Sequence, residues 1–453
     1  MATTAGRPTA ETEPVIDPER SRRALVAGSV GNFIEWYEFG VYGYFATILA
    51  ANFFATAGSS PVEDLVKAYA SFALAFFFRP VGAALFGRIG DRIGRRPTLI
   101  LVLVLMAGAT TLIGLLPTRE SIGALAPWLL TLVRILHGLS AGGEFGGAVS
   151  IMTEFAPPGR RGLFGSLQSF TVALGLLAGA GLAALLSVVL SPEQLNSFGW
   201  RIPFLLALPL GAVALWLRLR LEETPAFVAT QRDREAAAAG SPNPHAAPPV
   251  VRPTAGQTLR VILLGISRIM GWSAAGYTFL VVLPSYLQTS LNATFRAALA
   301  ATVVANVGFA LAIIPAGLLS DRVGRRPVMV AGALLTTILA LPLINVLQNE
   351  DATGLAKSAA VFVAGLVVGM MAGPGPAMLS EMFPTTVRYT GLGLSYSLSN
   401  AIFSGSAGLI ITELIKRTDN IDIPAFYVMA TCTVSVFALL SLRGDDHRRA
   451  LTA

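Results

Sequence analysis

The sequence predicts an all-α integral membrane fold of twelve transmembrane helices in two pseudo-symmetric six-helix bundles. Three observations carry this. Of 453 residues, 54% are hydrophobic and only 13% charged, with a mean hydropathy of +0.65, whereas a soluble domain carries about 25% charged residues to wet its surface. Apolar stretches near the roughly 20 residues needed to cross a bilayer recur along almost the whole chain. A short polar motif also appears twice, at equivalent places in the two halves.

Taken in order, the spans fall near 24–50, 65–88, 97–117, 124–153, 162–190 and 200–221, then near 257–286, 296–319, 327–347, 356–380, 388–415 and 421–442. Residues 1–23 are polar and Pro-rich, as expected of a disordered tail rather than a cleavable signal peptide. Arginine sets the orientation. Arg20, Arg22 and Arg23 precede the first span. Arg88, Arg92, Arg95 and Arg96 follow the second, Arg160 and Arg161 the fourth, and Arg322, Arg325 and Arg326 the eighth. Basic loops stay on the cytoplasmic side, so both termini are expected inside a multi-pass protein of the cell membrane. Lys416 and Arg417 are a local exception.

Residues 222–256 form the long internal polar stretch, with Arg232, Asp233, Arg234 and SPNPHAAPP at 241–249. This linker composition divides the chain into a tail (1–23), a bundle (24–221), a cytoplasmic linker (222–256), a second bundle (257–442) and a tail (443–453).

Several function classes drop out. The net charge of +7 is spread over short loops rather than one basic face, so no nucleic-acid partner is expected. The lone Cys432 sits in an apolar run and implies neither a disulfide nor a zinc site. There are three histidines, and His245 and His447 lie in the linker and a tail, leaving no nucleophile–base pair or metal cluster for an enzyme. No cofactor is expected. The fourth span carries Arg134, Gly138, Gly142 and Gly146 at four-residue spacing. No Lys-Ser/Thr follows, so this is a helix-packing stripe rather than a nucleotide loop.

The repeat is specific. GRIGDRIGRRP at 87–97 returns as GLLSDRVGRRP at 317–327, placing Asp91 and Asp321 230 positions apart. TEFAPPGRRG at 153–162 matches SEMFPTTVRYTG at 380–391, placing Glu154 and Glu381 227 apart. The positive-inside rule alone would not repeat Asp, Gly and Pro in the same order. Two related bundles around a central path make an alternating-access carrier.

These motifs resemble the signature loop of the major facilitator superfamily. GNFIEWYEFGVYGYFA at 31–46, FFRPVGAALFGRIGDRIGRRP at 77–97, HGLSAGGEFGGA at 137–148, GWRIPF at 199–204, LEETPAF at 221–227 and MFPTTVRYTGLGLS at 382–395 resemble its metabolite:proton symporter family. The resemblance runs from about Arg23 to Leu442. It implies the major facilitator fold and import of proline, betaines, α-ketoglutarate, citrate or shikimate with protons, by a monomer in a lipid bilayer. That family usually has Asp where Glu38 stands; the acid is kept with one more methylene.

Ionisable residues deep in spans mark the chemistry, since each is costly there. The first half has Glu35, Glu38, Arg79, Arg134 and Glu144; the second has Arg268. Glu35 and Glu38 share a helix face and can meet Arg79 near mid-membrane. An anion binding Arg79 would favour proton uptake by one of these acids, whereas a permanent ion pair is the structural alternative. Glu35, Glu38, Arg134 and Glu144 are therefore candidates for proton coupling. His137 and Glu144, seven apart, form either a relay or packing. Candidate substrate contacts are Tyr37, Tyr42, Arg79, Gln168, Tyr277, Asn306, Tyr396 and Asn400, whose aromatic and amide groups suit a carboxylate or a quaternary ammonium. Gln168 resembles in position a substrate-facing glutamine of related sugar carriers, with polar packing in the core as the equal alternative. Tyr286 belongs either here or to the interfacial belt. Asp91, Arg95, Glu154, Arg161, Glu222, Asp321, Arg325, Glu381 and Arg388 form a candidate cytoplasmic gate.

The resulting expectation is proton-coupled import of a small carboxylate. A betaine or proline carrier is the nearest rival and a proton-antiport multidrug exporter a more distant one. No heptad pattern follows Leu442, which lowers the expectation of an osmosensing coiled-coil tail.

Overall fold

The computed structural model describes residues 18–93, 95–142, 144–145, 149, 152–153, 156–157, 159–219, 255–383 and 385–442. Glu154, Glu222, Gly146, both expected tails beyond these bounds and most of the expected linker lie outside the described residues. So do the side chains of Asp91, Arg95 and Arg388.

Ten described helices are long and apolar enough to cross a membrane. The first and fourth complete twelve. The first carries Glu35 and Glu38 within its apolar stretch, and the fourth is described as a helix only over Leu125–Ala141. In chain order, α1 is Pro18–Tyr44, continued by Ala46–Leu49 and a π turn at Ala50–Phe54. Then come α2 Pro61–Ile93, α3 Arg95–Leu115, α4 Leu125–Ala141, α5 Arg161–Val189 and α6 Pro192–Leu219. The second half begins with α7, which runs Ala255–Tyr277, through a π turn at Thr278–Val282, into Leu283–Leu291. It is followed by α8 Phe295–Val323, α9 Arg325–Gln348 and α10 Gly354–Glu381. The last two are α11, Thr385–Ser399 continued by a π turn at Asn400–Gly405 and by Ala407–Thr418, and α12 Ile423–Leu440.

Local chemistry ends these helices where the loops begin. Thr294 and Thr353 accept hydrogen bonds from the amides of Ala297 and Ala356, capping α8 and α10. Asn292 and Asp419 take left-handed backbone at φ 52° and 53° and stop α7 and α11.

The halves touch along two seams, α5 against α8 and α2 against α11. The repeat spacing of about 230 residues relates α2 to α8 and α5 to α11, so the seams are pseudo-symmetric copies. The end carrying the Arg-rich loops is the basic end. There, α5 begins without a side-chain cap of its own, leaving orphan amides. Asp321, from the other half, accepts from the amides of Gly162 (2.7 Å) and Leu163 (2.8 Å). Arg325 donates to Asp321 at 2.8 Å and to Glu381 at 3.0 Å, and Arg161 lies 3.4 Å from Glu381. Four gate candidates therefore form one mostly buried network across the seam. A carboxylate on a helix N-terminus is favoured by the helix dipole.

Asp321→Asn should weaken this closure by about 1–3 kcal/mol, since a charge-assisted double acceptor becomes a neutral amide. The expected result is faster maleimide labelling of a Ser166→Cys probe at the basic end, with substrate preference unchanged. Unaltered labelling would mean that the contact does not hold the seam.

At the opposite end, the Tyr69 hydroxyl lies 2.5 Å from that of Ser285, Thr47 donates to Gln288 at 3.2 Å, and Lys416 pairs with Glu63 at 3.0 Å. Each of these contacts joins one half to the other. Gly405 and Gly408 on α11 receive the rings of Phe76 and Tyr69 on α2, where a Cβ would collide. Among the described residues, contacts between the halves are therefore present at both ends.

Candidate functional site

Between these two sets of contacts lies a small cavity at the interface of the halves. Trp36, Ser169 and Leu176 line it from the first half, and Trp272, Tyr277, Tyr396 and Asn400 from the second. The π turns of α7 and α11 supply Leu280, Val281, Asn400 and Ser404 to its wall. Such turns break the regular register and frequently mark functional positions. The rings support one another: Trp36–Tyr277 centroids are 6.1 Å apart, Trp272–Tyr396 6.0 Å, and Tyr396 stacks on Phe145 at 3.3 Å.

Beside this wall, Arg79 Nη2 is 3.0 Å from Glu35 Oε1, both side chains being buried. The guanidinium lies 4.1 Å from the Phe39 ring centre, 4.4 Å from Phe76 and 5.8 Å from Trp36. These faces stabilise a desolvated cation. The Tyr277 hydroxyl, Arg79 Nε and Arg79 Nη2 are buried without a well-directed hydrogen-bond partner among the described residues.

Glu38 sits in a second cluster. Its Oε2 accepts from the Thr110 hydroxyl at 2.9 Å and stands 3.3 Å from His137 Nε2. His137 Nδ1 is 3.0 Å from Arg134 Nη1, and Arg134 lies against the rings of Tyr42 (4.2 Å) and Phe72 (5.0 Å). A third pair, Glu144 with Arg218, is buried against Gly31, where any Cβ would overlap both side chains.

The structure thus separates groups that the sequence left together. Glu35 and Arg79 meet as expected, whereas Glu38 turns to α3 and α4. Glu144 pairs with Arg218 rather than with His137, because Arg218 of α6 reaches the same level from the neighbouring helix. Tyr277, Tyr396 and Asn400 line the cavity as expected, and Arg79 stands next to it. Four other substrate candidates do not line it. Tyr37 donates to the Pro203 carbonyl (2.8 Å) and Tyr42 to that of Ala68 (3.2 Å). Gln168 donates to Asn32 (3.3 Å), and Asn306 donates to the carbonyls of Thr302 (2.9 Å) and Leu280 (3.3 Å). Tyr286 donates to the Ile421 carbonyl at 3.0 Å, near the end opposite the basic one. Arg268 is held by the carbonyl of Ala438 and the hydroxyl of Ser441.

Trp36, Trp272, Thr110 and Arg218 are participants that sequence reasoning passed over, and His137 was weighed without its true partners. Trp36 had a signal, standing between Glu35 and Tyr37 in the motif at 31–46. Thr110 had none, because a threonine inside a span usually bonds its own helix, as Thr111 does to the Ala107 carbonyl.

The family model for sugar (and other) transporters matches residues 24–442. The chain is 36% identical to the ectoine/proline transporter of Corynebacterium glutamicum, covering 98% of this chain and 88% of that protein. It is 34% identical to the glycine betaine/proline/ectoine/pipecolic acid transporter of Dickeya dadantii, over 95% and 84% of the two chains. It is 33% identical to the proline/betaine transporter of Escherichia coli K12, over 96% and 86%. Among solved structures, a D-xylose–proton symporter superposes with a TM-score of 0.71 at 20% identity, over 92% of this chain and 96% of that one. The proton:xylose symporter bound to 6-bromo-6-deoxy-D-glucose, of the major facilitator superfamily, gives 0.73 at 19% identity, over 93% and 95%. The match over nearly the whole chain and the repeated loop make this protein a member of the sugar (and other) transporter family, a multi-pass membrane transporter with the major facilitator fold and not an enzyme.

Proposed function

We propose that the chain imports a small zwitterion, a betaine or a cyclic imino acid, together with protons by alternating access. The observation that carries this is the cavity wall. Five aromatic rings, Trp36, Trp272, Tyr277, Phe309 and Tyr396, surround the space, and the cation beside it, Arg79, is already neutralised by Glu35. An anionic substrate would need an uncompensated cation. A zwitterion needs only aromatic faces for its ammonium and a few donors for its carboxylate. The names of the relatives, which carry proline, betaines and ectoine, support this over the carboxylate expected from Arg79 alone.

In this reading the Arg-rich end is cytoplasmic, the division into two bundles and a linker follows the repeat, and a monomer works without cofactor. Glu35 and Glu38 are the acids within reach of a coupling role. The basic-end network is the inner gate.

The test is uptake into proteoliposomes under an inward proton gradient, with panels of betaines, proline, mono- and dicarboxylates and lipophilic cations. Accumulation of betaine or proline, abolished by a protonophore, is expected. Accumulation of dicarboxylates alone would return recognition to Arg79, and cation efflux would favour an exporter. Within the same assay, Trp272→Ala should raise the KM for glycine betaine roughly threefold to thirtyfold, the loss of one desolvated cation–π face. An unchanged KM would place the ammonium elsewhere.

A further inference from the structure

We infer that the Tyr277 hydroxyl is the donor that receives the substrate's carboxylate, and that it sets the carrier's preference for zwitterions over plain quaternary cations. The inference rests on the zwitterion reading above. Tyr277 belongs to the cavity wall and is 4% exposed, and its hydroxyl is buried without a hydrogen-bond partner among the described residues. Leaving a buried hydroxyl unpaired is costly, and folded proteins keep few such groups.

The serines of the wall are already committed. A hydroxyl has one hydrogen to donate. That of Ser169 goes to the Ala372 carbonyl at 2.7 Å and that of Ser404 to the Ser273 carbonyl at 3.1 Å, while the hydroxyls of Ser273 and Ser399 pair with each other at 3.1 Å. The Asn400 amide donates to the Tyr396 carbonyl at 2.9 Å.

Tyr277 is held by its ring rather than by its oxygen. The ring stands edge-on to Phe76, with centroids 5.4 Å apart and planes at 87°, and tilted against Trp36 at 6.1 Å. The Arg79 guanidinium lies against the same two rings, 4.4 Å from Phe76 and 5.8 Å from Trp36, and its Nε also lacks a partner among the described residues. This corner of the wall therefore holds a fixed phenolic donor near a second unpaired donor. An ionised carboxylate only accepts hydrogen bonds. A quaternary ammonium neither gives nor takes one, so it is left to the aromatic faces. Of those, the Trp272 ring is fixed by close contact with Gly375, where a Cβ would meet it at 2.7 Å. The substrate then lies in one direction, carboxylate on Tyr277 and ammonium on the indoles. A site built to bond one substrate group rejects the analogue that lacks it, because its buried donor stays unpaired.

The experiment titrates the purified full chain with glycine betaine, proline and choline by calorimetry, for wild type and Tyr277→Phe, and records the thermal unfolding midpoint of each without ligand. Choline carries the same quaternary ammonium with no carboxylate, and should bind the wild type at least about tenfold more weakly than glycine betaine. Tyr277→Phe should raise the Kd for glycine betaine and for proline about tenfold to a hundredfold, the range of one hydrogen bond to a charged group. Its ligand-free midpoint should equal that of the wild type or exceed it, because the variant removes an unpaired buried oxygen. A purely structural role would instead lower the midpoint and the affinity together. That result, a variant that does not fold, an unchanged Kd, or choline bound as tightly as glycine betaine overturns the inference. If neither glycine betaine nor proline binds the wild type, the zwitterion reading itself fails and the inference falls with it.

Discussion

Glu38→Gln is expected to abolish accumulation driven by a pH gradient while leaving substrate counterflow largely intact. Glu38 is completely buried, and its Oε2 is anchored by Thr110 and close to His137. A glutamine of the same shape occupies the site without a cavity and can accept from Thr110, so the bundle should hold. What it lacks is the ability to gain and lose a proton between the two sides. Counterflow needs only the loaded carrier to reorient, and a neutral amide resembles the protonated acid in charge. Equal loss of both activities would point to a structural role. Accumulation that persists would move the transported proton to Glu35, the other acid of α1. Glu35→Gln removes the partner that neutralises Arg79, so it should alter affinity for anionic analogues as well, which separates the two acids.

Gly142→Val should give little or no folded protein. A Cβ at Gly142 would overlap the backbone carbonyl of Arg79 and approach the Ala83 amide to 2.7 Å. Along the same face, Gly138 lies against the Ala75 carbonyl, and Gly82 on α2 against that of Leu139. Here α2 and α4 touch backbone to backbone. No rotamer change can relieve the collision, because the obstructing atoms are main chain. Overpacking a well-packed contact costs about 1–3 kcal/mol, and this case belongs at or beyond the upper end. The same contact sets the height of Arg79 relative to Glu35, so a surviving minority should also lose uptake. Thermal unfolding in detergent, compared with Gly181→Ala, is the measurement. A Cβ added at Gly181 would meet nothing within 4 Å, and its alanine variant should match wild type or gain about 0.5–1 kcal/mol in the helix. Equal behaviour of the two variants would contradict the close-crossing account.

The sequence was enough for the number of spans, the internal repeat and the reading as a transporter rather than an enzyme. These follow from interactions that are local or periodic. A bilayer requires long apolar runs with every backbone group bonded inside its own helix, and duplicated halves leave matching motifs at matching offsets. The residues of the basic-end network were legible for the same reason: Asp321, Arg325 and Glu381 stand in repeated motifs at helix ends. The glycine stripe on α4 was legible because close backbone approach demands the smallest residue.

The site was only half legible. That Glu35, Glu38, Arg79 and Arg134 matter follows from the cost of burying charge, but which acid meets which base depends on how helices rotate about their axes. Three residues apart on α1, Glu35 and Glu38 share a face, yet one turns toward α2 and the other toward α3 and α4. Thr110 and Arg218 became participants only because neighbouring helices brought them within 3 Å of a buried carboxylate. The proposal of a zwitterion in place of a carboxylate has the same origin. The sequence left Arg79 open either to a substrate anion or to a permanent ion pair; in the fold, Glu35 is its counter-ion. Composition and periodicity report what a helix must bury, while the partner it buries against is set by packing between segments far apart in the chain.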